Sequence, residues 1–213
     1  METEDEEEEE EAPIPHFPTL FSHICRQWRQ IALSMSSMWT DIDFSEGEPY
    51  DRAKEWLQRS RKSELSLTFN FYEHLTSDDQ FERAIALVGE GALRTTSLTL
   101  KTNNLSEIIH AIKHLTSFDD PPPLKNLTLE ADVAHGDPVI PEEFSERPQF
   151  FFKLLGGLER LDLERVHLPW STPAYSGLRS LRLAFLATSE TPGWMPTEND
   201  IIYVMESCPD LEK

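Results

Sequence analysis

The chain has 213 residues, 38% hydrophobic and 10% aromatic, with a formal net charge of −20. That is enough apolar material for one sizeable core, so no metal or disulfide staple is required. Neither a charged-then-apolar leader nor an apolar run of about twenty residues is read, so neither secretion nor membrane spanning is expected.

Nine of the 39 acidic residues lie between Glu2 and Glu11, and the remaining 30 against 19 basic residues leave the body at −11. Residues 1–12 are expected to form a disordered, solvated acidic tail, with contact to basic proteins such as histones as the alternative. A field of this sign repels phosphate backbones, so nucleic acid is not an expected partner.

Pro13, Pro15 and Pro18 follow the tail and argue against a helix interior there. Next, Phe21, Ile24, Cys25, Trp28, Ile31 and Ala32 fall at offsets 0, 3, 4, 7, 10 and 11, one apolar face of a single helix. Trp39, Ile42 and Phe44 then alternate with Asp41 and Asp43, so the period changes to that of a strand. Trp28 and Trp39 are expected to be buried between helix and strand, and Trp56, near Tyr50, Ala53 and Leu57, is expected in the core. Cys25 and Cys208 each lie on an apolar helix face, which predicts two buried thiols in the cytoplasm or nucleus rather than a bridge.

Leucine spacing recurs through the rest of the chain. Leu124, Leu127 and Leu129 form L-x-x-L-x-L, as do Leu158, Leu161, Leu163 and Leu178, Leu181, Leu183. Leu98 and Leu100, and Leu65 and Leu67, keep the L-x-L alone. Taking Ile42, Leu65, Leu98, Leu127, Leu161 and Leu181 as equivalent gives steps of 23, 33, 29, 34 and 20. Helical stripes separate the markers: Phe81, Ala84, Ile85, Val88 after a Ser77 to Gln80 capping box; Leu105, Ile108, Ile109, Ile112 capped by Asn104; Phe151, Leu154, Leu155, Leu158 after Pro148; and Ile201, Val204, Met205, Cys208 after Thr197. The shortest step has room only for a Pro-bearing loop. Leu211 reads as the first leucine of a further unit, from which either a truncated array or an open sheet edge prone to pairing is expected.

Stacking such units puts leucines between layers and alternate residues on the other face of a parallel sheet. The first row of that face reads Ser66, Thr99, Thr128, Asp162, Arg182, and the next Thr68, Lys101, Glu130, Glu164, Ala184. Thr99, Lys101, Thr128, Glu130, Asp162, Glu164 and Arg182 are the candidate target-binding residues, with plain solvated strand faces as the alternative. Trp170 and Trp194, in Pro-rich loops, are weaker candidate anchors.

Signatures of the common enzyme chemistries are missing: no G-x-x-x-x-G-K-[ST], G-x-S-x-G, H-E-x-x-H or paired C-x-x-C occurs. His110 and His114 have metal-ligand spacing, yet no Glu or Cys completes a site nearby in sequence. No catalytic residue, metal or cofactor is therefore assigned.

The run from Ile24 to Phe44, with Ile24, Cys25, Arg26, Trp28, Arg29, Ile31, Ala32 and Trp39 in place, resembles the second half of an F-box. It is most similar to fungal F-box-like proteins with degenerate leucine-rich repeats, while the L-P-x-E-I-L helix that opens the family pattern is not read here. The resemblance implies an α/β chain: residues 13–40 a partial F-box-like helical segment, and 41–213 an irregular leucine-rich-repeat solenoid with a parallel sheet and convex-side helices. It implies a substrate-recruiting adaptor of an SCF-type ubiquitin ligase, with Ile24, Arg26, Trp28 and Arg29 facing the ligase adaptor subunit and the repeats holding an unidentified target protein. The alternative is a ligase-independent repeat scaffold. An enzyme of a kind that shows no motif stays open as a third reading.

Overall fold

The computed structural model describes residues 17–72, 78–118, 122–131, 148–170, 172–184 and 196–212. The acidic tail, the Ser77 cap and Trp194 lie outside these residues. Seven α-helices and six strands lie along the described chain. Two short helices, α1 (Phe17–Ile24) and α2 (Arg26–Ser34), lead through a 3-10 turn at Ser36–Trp39 into β1 (Asp41–Asp43). Then come α3 (Asp51–Ser60), β2 (Leu65–Asn70), α4 (Asp78–Val88), β3 (Thr95–Thr102), α5 (Leu105–Thr116) and β4 (Asn126–Ala131). The last described elements are α6 (Pro148–Leu155), β5 (Arg160–Glu164), β6 (Ser180–Ala184) and α7 (Glu198–Ser207).

All six strands belong to one sheet in the order β1-β2-β3-β4-β5-β6, and every neighbouring pair is parallel. Each strand therefore pairs with the strand before it in sequence, after a crossover that returns the chain to the same edge. The strand pattern decides which face is covered. In β2, Leu65, Leu67 and Phe69 are buried while Ser66, Thr68 and Asn70 are half-buried. The same alternation runs through β3 to β5. Ala84 and Ile85 of α4, Ile108 and Ile112 of α5, and Leu154 and Leu155 of α6 join the strand leucines in one core, so the helices cover the leucine face. Each buried leucine removes apolar surface worth about 1.5–3 kcal/mol from water.

Register corrects the repeat frame in one place. Ile42 pairs with Leu67 and Leu67 with Leu98, continuing through Leu127, Leu161 and Leu181. Leu67, not Leu65, is the equivalent residue, and the spacings become 25, 31, 29, 34 and 20. Leu65, Leu67, Phe69 and Phe71 alternate without a break, so periodicity fixes their face but not their position along it. A register irregularity between Leu65 and Ser66 shifts the start of β2 against β3. The polar rows move with it: Thr68, not Ser66, stands beside Thr99, and Asn70, not Thr68, beside Lys101.

Aromatic rings reinforce the first strand layers. Phe44 stacks on Phe69 at 4.6 Å, and Phe71 meets Phe81 edge-on at 5.4 Å. The 20-residue step between Leu161 and Leu181 has no α-helix among its described residues, as its length anticipates. Val166, Leu168, Ala174 and Tyr175 fill that layer as a buried loop, with the Tyr175 hydroxyl donating to the Leu168 carbonyl at 3.2 Å.

The entry to each later strand is built alike. Lys125 N donates to Thr96 O, Glu159 N to Lys125 O, Arg179 N to Glu159 O and Glu212 N to Arg179 O, at 2.7–2.8 Å. The residue preceding each donor is Leu124, Leu158, Leu178 or Leu211, so Leu211 shares this backbone bond with the three leucines that lead into β4, β5 and β6. Asn104 and Thr197 cap α5 and α7 as their sequences anticipate. The α7 stripe is only half inside: Val204 and Cys208 are buried, but Ile201 and Met205 are exposed, because the helix packs on a single edge of its apolar face.

Candidate interaction surfaces

Two surfaces carry the candidate residues: the α1–α2 pair and the uncovered face of the sheet. The single helix expected from Phe21 to Ala32 is two helices, broken at Cys25, whose backbone is extended at φ −157° and ψ 172°. A helix also begins upstream, at Phe17, because Pro18 sits in its first turn, where an amide N–H has no intrahelical acceptor. Ser22 Oγ donates to Thr19 O at 2.8 Å within α1, and Arg29 Nε of α2 donates to Ser22 O at 3.0 Å, tying the two helices together. Phe21 meets Trp28 edge-on at 4.0 Å between ring centroids.

The break rotates α1 and α2 relative to the continuous stripe, and most of that stripe faces outward. Trp28 is 41% exposed, Ile31 42% and Ile24 63%, whereas Ala32 is fully buried. The expected burial of Trp28 therefore does not hold, and Cys25 is exposed. Cys208 is buried as expected, its Sγ donating to the Tyr175 carbonyl at 3.1 Å. Of the candidate docking residues, Ile24 and Trp28 contribute exposed apolar surface beside Phe17 and Leu20, Arg26 is exposed, and Arg29 is spent on the α1–α2 contact.

Trp39 and Trp56 are buried, as expected, and meet edge-on at 5.6 Å. Trp39 Nε1 donates to Ala32 O at 2.8 Å, and the Arg59 guanidinium lies 4.4 Å over the Trp39 ring. Arg94 is half-buried behind this junction. It donates to Ser63 O at 2.6 Å and Ser60 Oγ at 2.9 Å, and burial lowers its pKa.

On the uncovered sheet face, register brings all seven candidate target-binding residues into two adjacent rows. One runs Asp43, Thr68, Thr99, Thr128, Asp162, Arg182, and the next Asn70, Lys101, Glu130, Glu164, Ala184. Their charges are already matched in place. Lys101 Nζ lies 2.9 Å from Glu130, and Arg182 reaches Asp162 at 3.0 Å and Glu164 at 3.1 Å, contacts that hold its guanidinium above its usual pKa. Asp43 pairs with Arg52 at 3.9 Å. Burial, then the charge of Glu130, raises the Tyr72 hydroxyl well above the ordinary tyrosine range.

A third row was not singled out from the sequence: Asp41, Ser66, Ser97, Asn126, Arg160, Ser180. Its residues stand one place before the core marker in β1 to β6, and that position was the available signal. Ser97, Asn126, Arg160 and Ser180 line a shallow concavity with Thr128 and Asp162. Asp41 and Arg160 are exposed and, among the described residues, form no ion pair.

Elsewhere, His110 Nδ1 lies 3.9 Å from Glu82, and no group of three metal-ligating side chains occurs among the described residues. Nor is any described helix long and apolar enough to cross a membrane. Trp170 is half-buried and stacked 4.9 Å from Tyr175, which commits that candidate anchor largely to the loop layer. Neither the protein-family models nor the curated proteins contain a match to this chain.

Proposed function

We propose that this chain is an F-box-like, substrate-recruiting adaptor of an SCF-type ubiquitin ligase, acting in the cytoplasm or nucleus. In this reading α1 and α2 hold the ligase adaptor subunit, and the sheet is a leucine-rich-repeat solenoid whose uncovered face holds a target protein. The observation that carries it is the apolar patch of Phe17, Leu20, Ile24, Trp28 and Ile31, exposed on two helices whose backbone runs straight into the sheet. Large apolar side chains left exposed together on a pair of packed helices are surface that a partner would bury. Sequential parallel order and repeated strand-entry bonds support the solenoid half of the reading. No side chain of the chain then performs chemistry; it raises the local concentration of target at the ligase.

The second reading is a ligase-independent scaffold. It is favoured by α1 itself, whose sequence Phe17–Ile24 is FPTLFSHI rather than the L-P-x-E-I-L form that opens the F-box pattern.

Calorimetric titration of the intact chain with purified ligase adaptor subunit separates the two. Binding by the native chain, lost in Ile24→Asp and Trp28→Ala variants with native circular dichroism, is the result expected for the adaptor. Absence of binding by the folded chain overturns it and leaves the scaffold.

A further inference from the structure

The uncovered sheet face contains one row whose charges are not neutralised among the described residues, and they have opposite signs at its two ends. Asp41 stands on β1 and Arg160 on β5, with Ser66, Ser97 and Asn126 between them and Ser180 beyond. The neighbouring rows differ: Lys101 is matched to Glu130, Arg182 to Asp162 and Glu164, and Asp43 to Arg52. A partner laid on those rows would have to break existing ion pairs, whereas one laid on the Asp41–Arg160 row would complete two.

Four strand spacings separate the two charges, about 19 Å at roughly 4.8 Å per spacing. An extended peptide advances about 3.3 Å per residue, so about six residues bridge them. Hydroxyl and carboxamide groups at Ser66, Ser97 and Asn126 supply donors and acceptors for the backbone of a segment crossing the strands. The negative net charge disfavours a polyacidic ligand, and Arg160 disfavours a polybasic one at its end of the row.

We infer that this row binds an extended segment of a partner protein that presents a carboxylate to Arg160 and a basic side chain to Asp41, five to six residues apart. The inference rests on reading the uncovered face as the target-binding surface and specifies what that surface selects.

The test is a library of capped, serine-rich heptapeptides with Asp, Lys or Ala at positions 1 and 6, panned on the full chain at low salt. Mixed Asp/Lys peptides should be enriched over Asp/Asp and Lys/Lys. Because ion pairs at exposed sites are individually weak, roughly two- to fivefold per matched end is expected. Asp41→Lys should shift selection to Asp/Asp, and Arg160→Glu should shift it to Lys/Lys. Both positions are exposed, and an unchanged thermal midpoint verifies the fold of each variant. No enrichment, or a preference that neither reversal moves, overturns the inference. Adaptor titration on the same samples keeps the outcomes apart: intact adaptor binding without peptide selection removes only this inference, whereas peptide selection without adaptor binding leaves the row on a scaffold.

Discussion

The indole Nε1 of Trp39 donates to the carbonyl of Ala32 at 2.8 Å, and this bond joins the N-terminal helices to the first strand layer. Trp39 is fully buried, whereas Trp28, one turn before Ala32 on the same helix, is 41% exposed. The two tryptophans of the Ile24 to Phe44 run therefore have opposite roles, one packing the junction and the other facing outward. Trp39→Ala should cost about 3–5 kcal/mol, through a cavity beside Trp56 and the loss of the indole bond to the Ala32 carbonyl. Trp28→Ala should cost less than about 1 kcal/mol. Urea unfolding of both variants checks the contrast, and equal losses would mean that α2 packs on its other face.

The leucine rows should show a gradient toward β6. Leu163 is fully buried, while Leu183, its register partner, is only partly buried against the core. Leu163→Ala should destabilise by about 2–5 kcal/mol, as large-to-small changes at closed sites do. Leu183→Ala should fall clearly below it, measured by the same unfolding curves.

Acidification should weaken the fold through His167. Burial lowers its pKa below the ordinary 6.5, and the charge of Asp200 only partly opposes the shift. As pH falls below 6.5 toward the native-state value, the unfolded chain takes up a proton that the native chain refuses, so stability decreases across that window. His114 is lowered by burial and by His110, and contributes with the same sign. Urea midpoints at pH 7.5 and 5.5 should differ less in His167→Gln than in the native chain.

Helix α7 depends on a local device. Thr197 Oγ1 accepts from Asp200 N at 3.3 Å while Asp200 Oδ2 accepts from Thr197 N at 2.8 Å, a reciprocal cap. Thr197→Ala should weaken the helix by about 0.5–2 kcal/mol. Faster amide exchange confined to residues 198–207 would show it, and unchanged exchange would mean that packing of Val204 and Cys208 alone holds the helix.

Much of the sheet was legible because leucine alternation is a two-residue signal that burial amplifies on every strand. It failed where the signal is degenerate. Leu65 to Phe71 fits two frames equally, and only pairing with Thr95 and Ser97 chooses between them. The helix break was hidden for the opposite reason: Ile24, Cys25 and Trp28 continue a perfect helical period through a residue whose backbone is extended. Of the uncovered face, the ion-paired rows were legible as candidates, but Asp41 and Arg160 acquire meaning only once register shows which charges are already matched.

The extended backbone at Cys25 has a practical corollary. It leaves one of the chain's two thiols in solvent on the apolar helical patch, while the other, Cys208, is enclosed against the Tyr175 carbonyl. Alkylation by a thiol-reactive reagent should therefore be selective for Cys25 in the native protein. A fluorophore placed there without any mutation would sit on the surface proposed to dock a partner, so its emission and its rate of attachment would both report any occupancy of that surface.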